Sequence, residues 1–153
     1  MILHDCLSGE RGFALGAFQG DRLVGYRLCY LPDSPEDLDD NVAYREWSLP
    51  LEAVKEAVRF AGVAVSPEHR RRGLAGAMTR AAVETATGVR RRWAITSCHP
   101  DNHVSETNLR RAGFVVVRTT ARTDPQARQL WRRPLAPDPQ STTNTTFPKF
   151  SRS

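Results

Sequence analysis

Apolar and polar positions change rhythm several times along this chain, and each change marks an element. From residue 12 to 30 the rhythm is that of strands: Phe13, Leu15 and Phe18 in one arm, Leu23, Val24, Tyr26, Leu28 and Tyr30 in another, with Gln19-Gly20-Asp21 between them. That predicts a β-hairpin. Residues 31 to 50 lose periodicity and are broken by Pro32, Pro35 and Pro50, so they are expected to be loop. A short amphipathic helix is predicted from Leu51 to Arg59, with Leu51, Val54 and Val58 on one face and Pro50 and Glu52 suiting its start. A Val-rich strand (Val63, Val65) then stops at Ser66-Pro67. Beyond a Gly-containing turn, Leu74, Ala77, Met78, Ala81, Ala82 and Thr85 recur at helical spacing up to Thr87-Gly88.

The segment from Trp93 to Cys98 reads as a strand, and Asn102 can cap a following helix whose inner face holds Val104, Leu109 and Ala112 and which Gly113 closes. Phe114 to Thr120 is the next strand, and Gln129 to Arg132 a final edge strand. Residues 134 to 153 are rich in Pro, Ser, Thr and Asn and are expected to form a disordered tail behind a single domain of residues 1 to 133. A strand-helix-strand crossover joins Val65 to Trp93, so those two strands should be parallel neighbours. The fold class is α/β (or α+β), with a central mixed, mostly antiparallel sheet flanked by helices.

Length and composition add bounds. A chain of 153 residues, 40% hydrophobic and 25% charged, is one ordinary soluble domain. No apolar stretch reaches the roughly 18 residues of a membrane span, and the N-terminus lacks the pattern of a secretory signal. Three cysteines (Cys6, Cys29, Cys98) without metal-ligand spacing suggest free thiols in a reducing compartment, and hence the cytoplasm. The net charge of +5 is uneven: residues 33 to 56 carry eight acids and two bases (−6), the remainder nine acids and twenty bases (+11). The arginines cluster at 70–72, 90–92, 110–111 and 132–133 without interleaved aromatics, which argues against nucleic acid as the partner. Neither a membrane nor a nucleic-acid partner is expected, and a homodimer is compatible with these features.

The basic turn, Arg70-Arg71-Arg72-Gly73-Leu74-Ala75-Gly76, opens a helix. The first amides of a helix lack internal partners and sit at the positive end of its dipole. Gly73 and Gly76 let a bulky anion approach the backbone, and a diphosphate is the natural occupant. At this point the sequence resembles the GNAT N-acetyltransferases. Arg70-x-x-Gly73-x-Ala75, behind a Val-rich strand ending in Ser-Pro-Glu-His, is similar to their acyl-CoA-binding motif, (Arg/Gln)-x-x-Gly-x-(Gly/Ala). Leu23-Val24-Gly25-Tyr26 is similar to the hairpin that precedes it. The run from His99 through Asn102, Ser105 and Asn108-Leu109 to Gly113-Phe114 resembles the family's second signature, in the form of an uncharacterised subgroup. The likeness spans roughly residues 12 to 120.

The resemblance implies a GNAT-like three-layer fold and transfer of an acyl group from acetyl-CoA, or another acyl-CoA, to the amine of a small molecule. Family members carry a strand and two helices before the hairpin, for which about a dozen residues leave little room. That cap is shortened, lies outside this sequence or comes from another chain. Carried over, the cofactor residues are Val63, Ala64 and Val65 along pantetheine, Arg70, Arg71, Arg72, Gly73, Leu74, Ala75 and Gly76 at the diphosphate, and Asn102, Ser105 and Asn108 on the second helix. The tyrosine that commonly protonates the departing thiolate is replaced by Leu109, leaving Ser105, Asn108 or water. Glu56 and His99 lead the candidates for general base, with Glu46 and Glu52 behind them. The Cys98-His99 pair is no nucleophile, because neighbouring strand residues face opposite ways. The acidic segment would attract a cationic amine. A non-catalytic acyl-CoA-binding module and an arginine-based nucleic-acid binder are the competing classes. Thiol release separates the first from an enzyme, and steep salt dependence marks the second.

Overall fold

The computed structural model describes residues 2–9, 11–120 and 125–135, without the side chains of 2–9 and Val42. Seven strands form one sheet in the order β1-β2-β3-β4-β5-β7-β6. They are β1 (Ile2–Gly9), β2 (Gly12–Gln19), β3 (Arg22–Tyr30), β4 (Ala57–Val65), β5 (Trp93–Cys98), β6 (Val115–Thr119) and β7 (Gln129–Pro134). Every neighbouring pair is antiparallel except β4 and β5, the parallel pair that the crossover demands. The expected hairpin is β2–β3. The predicted edge strand, β7, instead lies between β5 and β6, with Leu130 and Trp131 fully buried. Such apolar residues would be wasted on an edge. Pro134 completes β7 and Leu135 is buried, so the domain runs past the expected boundary at residue 133. The remainder of the expected tail, 136–153, lies outside the described residues.

Helices α3 (Leu74–Thr87) and α4 (His103–Arg111) cover one face of the sheet. Beneath them Val58, Phe60, Phe114 and Trp131 form the main core, with the rings of Phe60 and Phe114 edge-on at 5.4 Å. The family's usual strand is present as β1, but it turns directly into β2, with Gly9 opposite Gly12, and no helix separates them. The opposite face is covered from elsewhere. Residues 31–56, expected as loop and one helix, contain a 3-10 turn (Pro35–Leu38) and two short helices, α1 (Val42–Trp47) and α2 (Leu51–Lys55). Their apolar residues Leu38, Tyr44, Trp47 and Val54 pack on Ile95 and Leu130. Asn41 caps α1 by accepting the Ala43 N–H at 2.9 Å, and an Asp37 carboxylate closes the first turn onto Asp33 and Ser34. Helix α2 stops four residues before the predicted Arg59, because Ala57 and Val58 are claimed by both faces of the sheet.

Half of the acidic segment's eight carboxylates are ion-paired. Asp33 pairs with Arg91 at 3.3 Å, Asp37 with Arg11 at 3.6 Å, Asp40 with Arg59 at 2.7 Å and Glu56 with Arg92 at 4.0 Å. The expected field for a cationic acceptor is weakened accordingly. The Arg59 hydrogen bond holds the Asp40 carboxyl below its ordinary value, against a smaller opposing effect of burial. A carboxyl depressed on folding stabilises the protein above its unfolded pKa, about 3.9, and loses that contribution as pH falls through the folded value. Asp40→Asn should therefore lower the melting temperature at pH 7, and the gap to wild type should close towards pH 2 to 3, as calorimetric scans across that range would show.

Candidate functional site

Strand β4 carries the site because it is bulged. Arg27 pairs with Val63 but Cys29 with Phe60, so Ala61 and Gly62 oppose Leu28 alone. The extra residue bends β4 just after its last pairing with β5, Arg59 with Ile95, and the two strands part. Ser66 N–H donates to the Val24 carbonyl at 2.8 Å. By the alternation of an antiparallel pair, the N–H and C=O of Val65 and Val63 then point away from β3, into the gap. Arg70 Nε donates to the Val65 carbonyl at 3.0 Å, leaving the Val65 N–H facing the gap.

Past the strand the backbone forms an anion cradle. Arg71 (φ 61°) and Gly73 (φ 79°) are both left-handed, on either side of Arg72, and this alternation turns successive amides towards one point. Gly73 precedes α3 and no side chain caps the helix, so the amides of Leu74, Ala75 and Gly76 have no helical or side-chain partner. A Cβ at Gly73 would meet nothing within 4 Å, so the space above it is open. Gly76 works differently from expectation. A Cβ there would come within 2.9 Å of Asn108 Oδ1, so this glycine lets α4 close on α3 rather than admitting an anion directly.

A cleft of about 790 Å³ runs from this cradle along β4 to α4. It is lined by Val63, Ala64, Val65, Arg70, Arg71, Gly73, Leu74, Ala75, Gly76, Asn102 and Asn108, eleven of the residues singled out from sequence. Arg72 is exposed on the turn and does not line it. Asn102 Oδ1 accepts the Ser105 N–H at 3.1 Å as the α4 cap, and Ser105 itself lines a smaller pocket behind the cleft. Leu109, in the place of the family's tyrosine, is buried in the core.

Two expected catalytic residues are not brought to the cleft. Glu56 lies at the far end of β4, about 20 Å of strand from Val63, ion-paired with Arg92. His99 sits beyond β5, and its Nδ1 accepts the Asp101 N–H at 3.1 Å, which occupies the lone pair a base would need. Cys98 is buried, which pushes its thiol pKa up and disfavours the thiolate a nucleophile would need.

The sequence reading missed three residues here. His69 is only 6% exposed, with Nε2–H donating to Gln19 Oε1 and Nδ1 accepting from the Ser66 hydroxyl, both at 2.8 Å, so it pins the cradle to the hairpin. Val104, expected on the inner face of α4, is 73% exposed and lines the cleft instead. The third is Arg27, buried behind the cleft.

No curated protein sequence matches the chain significantly. Solved structures share its fold at low identity. The ribosomal-protein-S18-alanine N-acetyltransferase of Escherichia coli aligns with 92% of this chain and 77% of its own at TM-score 0.65 and 13% identity. NAA60 of Arabidopsis thaliana, solved with a bisubstrate analogue, gives 84% and 78%, TM-score 0.60 and 15% identity. The yncA protein of Salmonella typhimurium, solved with its cofactor acetyl-CoA, gives 84% and 69%, TM-score 0.62 and 15% identity. Residues 2–114 match the family model for the acetyltransferase (GNAT) family. With that match across most of the chain, and the parted β4–β5 sheet and cradle in place, the chain belongs to the GNAT acetyltransferases, whose chemistry is acyl transfer from acetyl-CoA.

Proposed function

We propose that this protein is an N-acyltransferase that moves the acyl group of an acyl-CoA directly onto a small-molecule amine. The observation that carries the reading is the uncapped start of α3, with its left-handed Arg71 and Gly73, opening into the gap between β4 and β5. Amides and arginines there match a diphosphate, as the positive end of a helix requires. The backbone edge of Val63 and Val65 would pair with pantetheine as a further strand does, and the Val65 N–H would polarise the acyl carbonyl.

Bound there, an acyl-CoA supplies an activated carbonyl: its C–S bond breaks as the amine's C–N bond forms, one amine proton passes to water, and the sulfur takes up one proton. Ser105 is the hydroxyl of the family's second signature that lines the inner pocket, and we assign it to hydrogen-bond the departing sulfur. Among the described residues no carboxylate lines the cleft, which suits an amine that arrives uncharged. Positioning the two reactants then supplies much of the rate. The buried thiols of Cys29 and Cys98 suit a reducing compartment.

Leu109 favours a second reading, a module that binds acyl-CoA without turnover. Incubation with acetyl-CoA and a panel of amines decides between them. The enzyme should release thiol and form amide in equal amounts. Retained acyl-CoA with no thiol release by any amine would leave only the binding module.

A further inference from the structure

Behind the cleft, where β4 and β5 part, lies a second pocket of about 110 Å³ that shares Val63, Ala75, Val104 and Asn108 with it. Arg27 reaches this pocket from β3. The residue is 4% exposed, yet its Nε and Nη2 have no hydrogen-bond partner among the described residues. Its guanidinium lies 5.1 Å from the centre of the Phe60 ring, which offers no countercharge. Among the described residues none of the pocket's other lining side chains is acidic. The hydroxyls of Thr79 and Thr96 already donate to the carbonyls of Ala75 and Phe60, each at 2.9 Å. Nearby Cys29 is pushed up to about 12 by burial, and Tyr44 is pushed up likewise, so both are neutral.

An arginine cannot shed its proton to escape this position. A buried cation left without an anion is costly, and no carboxylate among the described side chains pairs with Arg27. The pocket is also several times larger than the roughly 10–15 Å³ that admits one water, so the methyl group of an acetyl chain would leave it unfilled. A short chain entering from the cleft and ending in a negative charge would meet both the space and the guanidinium.

We propose that Arg27 receives a carboxylate at the far end of the donor's acyl chain, so that the preferred donor is a short dicarboxylic acyl thioester of coenzyme A. This rests on the assignment of the cleft to acyl-CoA. A carboxylate on the acceptor amine is the other source of the same chemistry. Titration of donors alone, with no amine present, separates the two.

Calorimetric titration of wild-type protein with CoA, acetyl-CoA, butyryl-CoA and succinyl-CoA is the test. Butyryl and succinyl chains have the same number of carbons and differ in the terminal carboxylate. Succinyl-CoA should bind about tenfold or more tightly than butyryl-CoA, as charge-assisted bonds to a guanidinium imply. Arg27→Met should abolish that ratio and Arg27→Lys reduce it, and either variant suffices if the other fails to fold. Equal affinity of wild type for the two thioesters overturns the inference, as does a ratio that survives in the variants. Failure of CoA itself to bind would instead remove the acyl-CoA assignment beneath it.

Discussion

A Gly73→Val protein should fold and yet bind coenzyme A on the order of a hundredfold more weakly than wild type. Nothing in the protein obstructs the new side chain, since no atom lies within 4 Å of where its Cβ would stand. The penalty comes from the backbone and from the space the ligand needs. At φ 79° a β-branched residue pays about 1–2 kcal/mol or forces the turn to relax, and relaxation swings the amides of Leu74 and Ala75 away from their common focus. If the turn holds, the valine occupies the opening above the cradle. The two routes together are worth about 2–3 kcal/mol of lost binding, and each 1.4 kcal/mol is tenfold. Stability should fall by only about 1–2 kcal/mol, a melting shift of several degrees. Calorimetry with CoA beside a thermal scan checks both halves. Undiminished CoA affinity in this variant would move the diphosphate away from the cradle.

Trp131→Ala should be the most damaging single truncation for stability. Trp131 is fully buried in β7 between β5 and β6, and Arg110 of α4 lies 5.0 Å from the centre of its ring. Truncating a buried aromatic costs about 3–5 kcal/mol, from lost transfer energy and the cavity left behind. Total stability for such a domain is about 5–15 kcal/mol, so much of the margin would vanish. Urea unfolding should show a much lower midpoint at unchanged slope, with a smaller loss in Trp131→Phe. A midpoint that scarcely moves would mean that β7 is not integral to the core.

Local signals carried much of this architecture. The hairpin, the strand from Trp93 to Cys98, the Asn102 cap and the helix after Gly73 are set by near neighbours, through turn residues, alternation and capping. The parallel pairing of β4 and β5 followed from crossover geometry. The position of β7 depends on pairing with two strands, one of them distant in sequence. A six-residue segment with only Leu130 and Trp131 as large apolar residues does not announce whether it will be flanked on both sides. Helix α1 was hidden by prolines on either side, although Asn41 at its start was a readable cap. At the site, the cradle could be read because glycines and arginines cluster within seven residues. Glu56 and His99 drew notice as nearby ionisable groups, but strand length and a hydrogen bond decided against them. Arg27 carried a signal that went unused: it shares the inward phase of β3 with Gly25 and Cys29, where a charge is out of place.

The bulge in β4 also sets the parity of the strand. Val58 and Phe60 face the helices, and so do Val63 and Val65, although an odd number of steps separates the two pairs. A strand of even phase could orient one pair correctly only by turning the other towards α1 and α2. The supernumerary position at Ala61-Gly62 lets a single segment seal the hydrophobic interior at one end and border the gap at the other. Evolution of this segment by loss of one residue is therefore closed, because the frame of one half would invert.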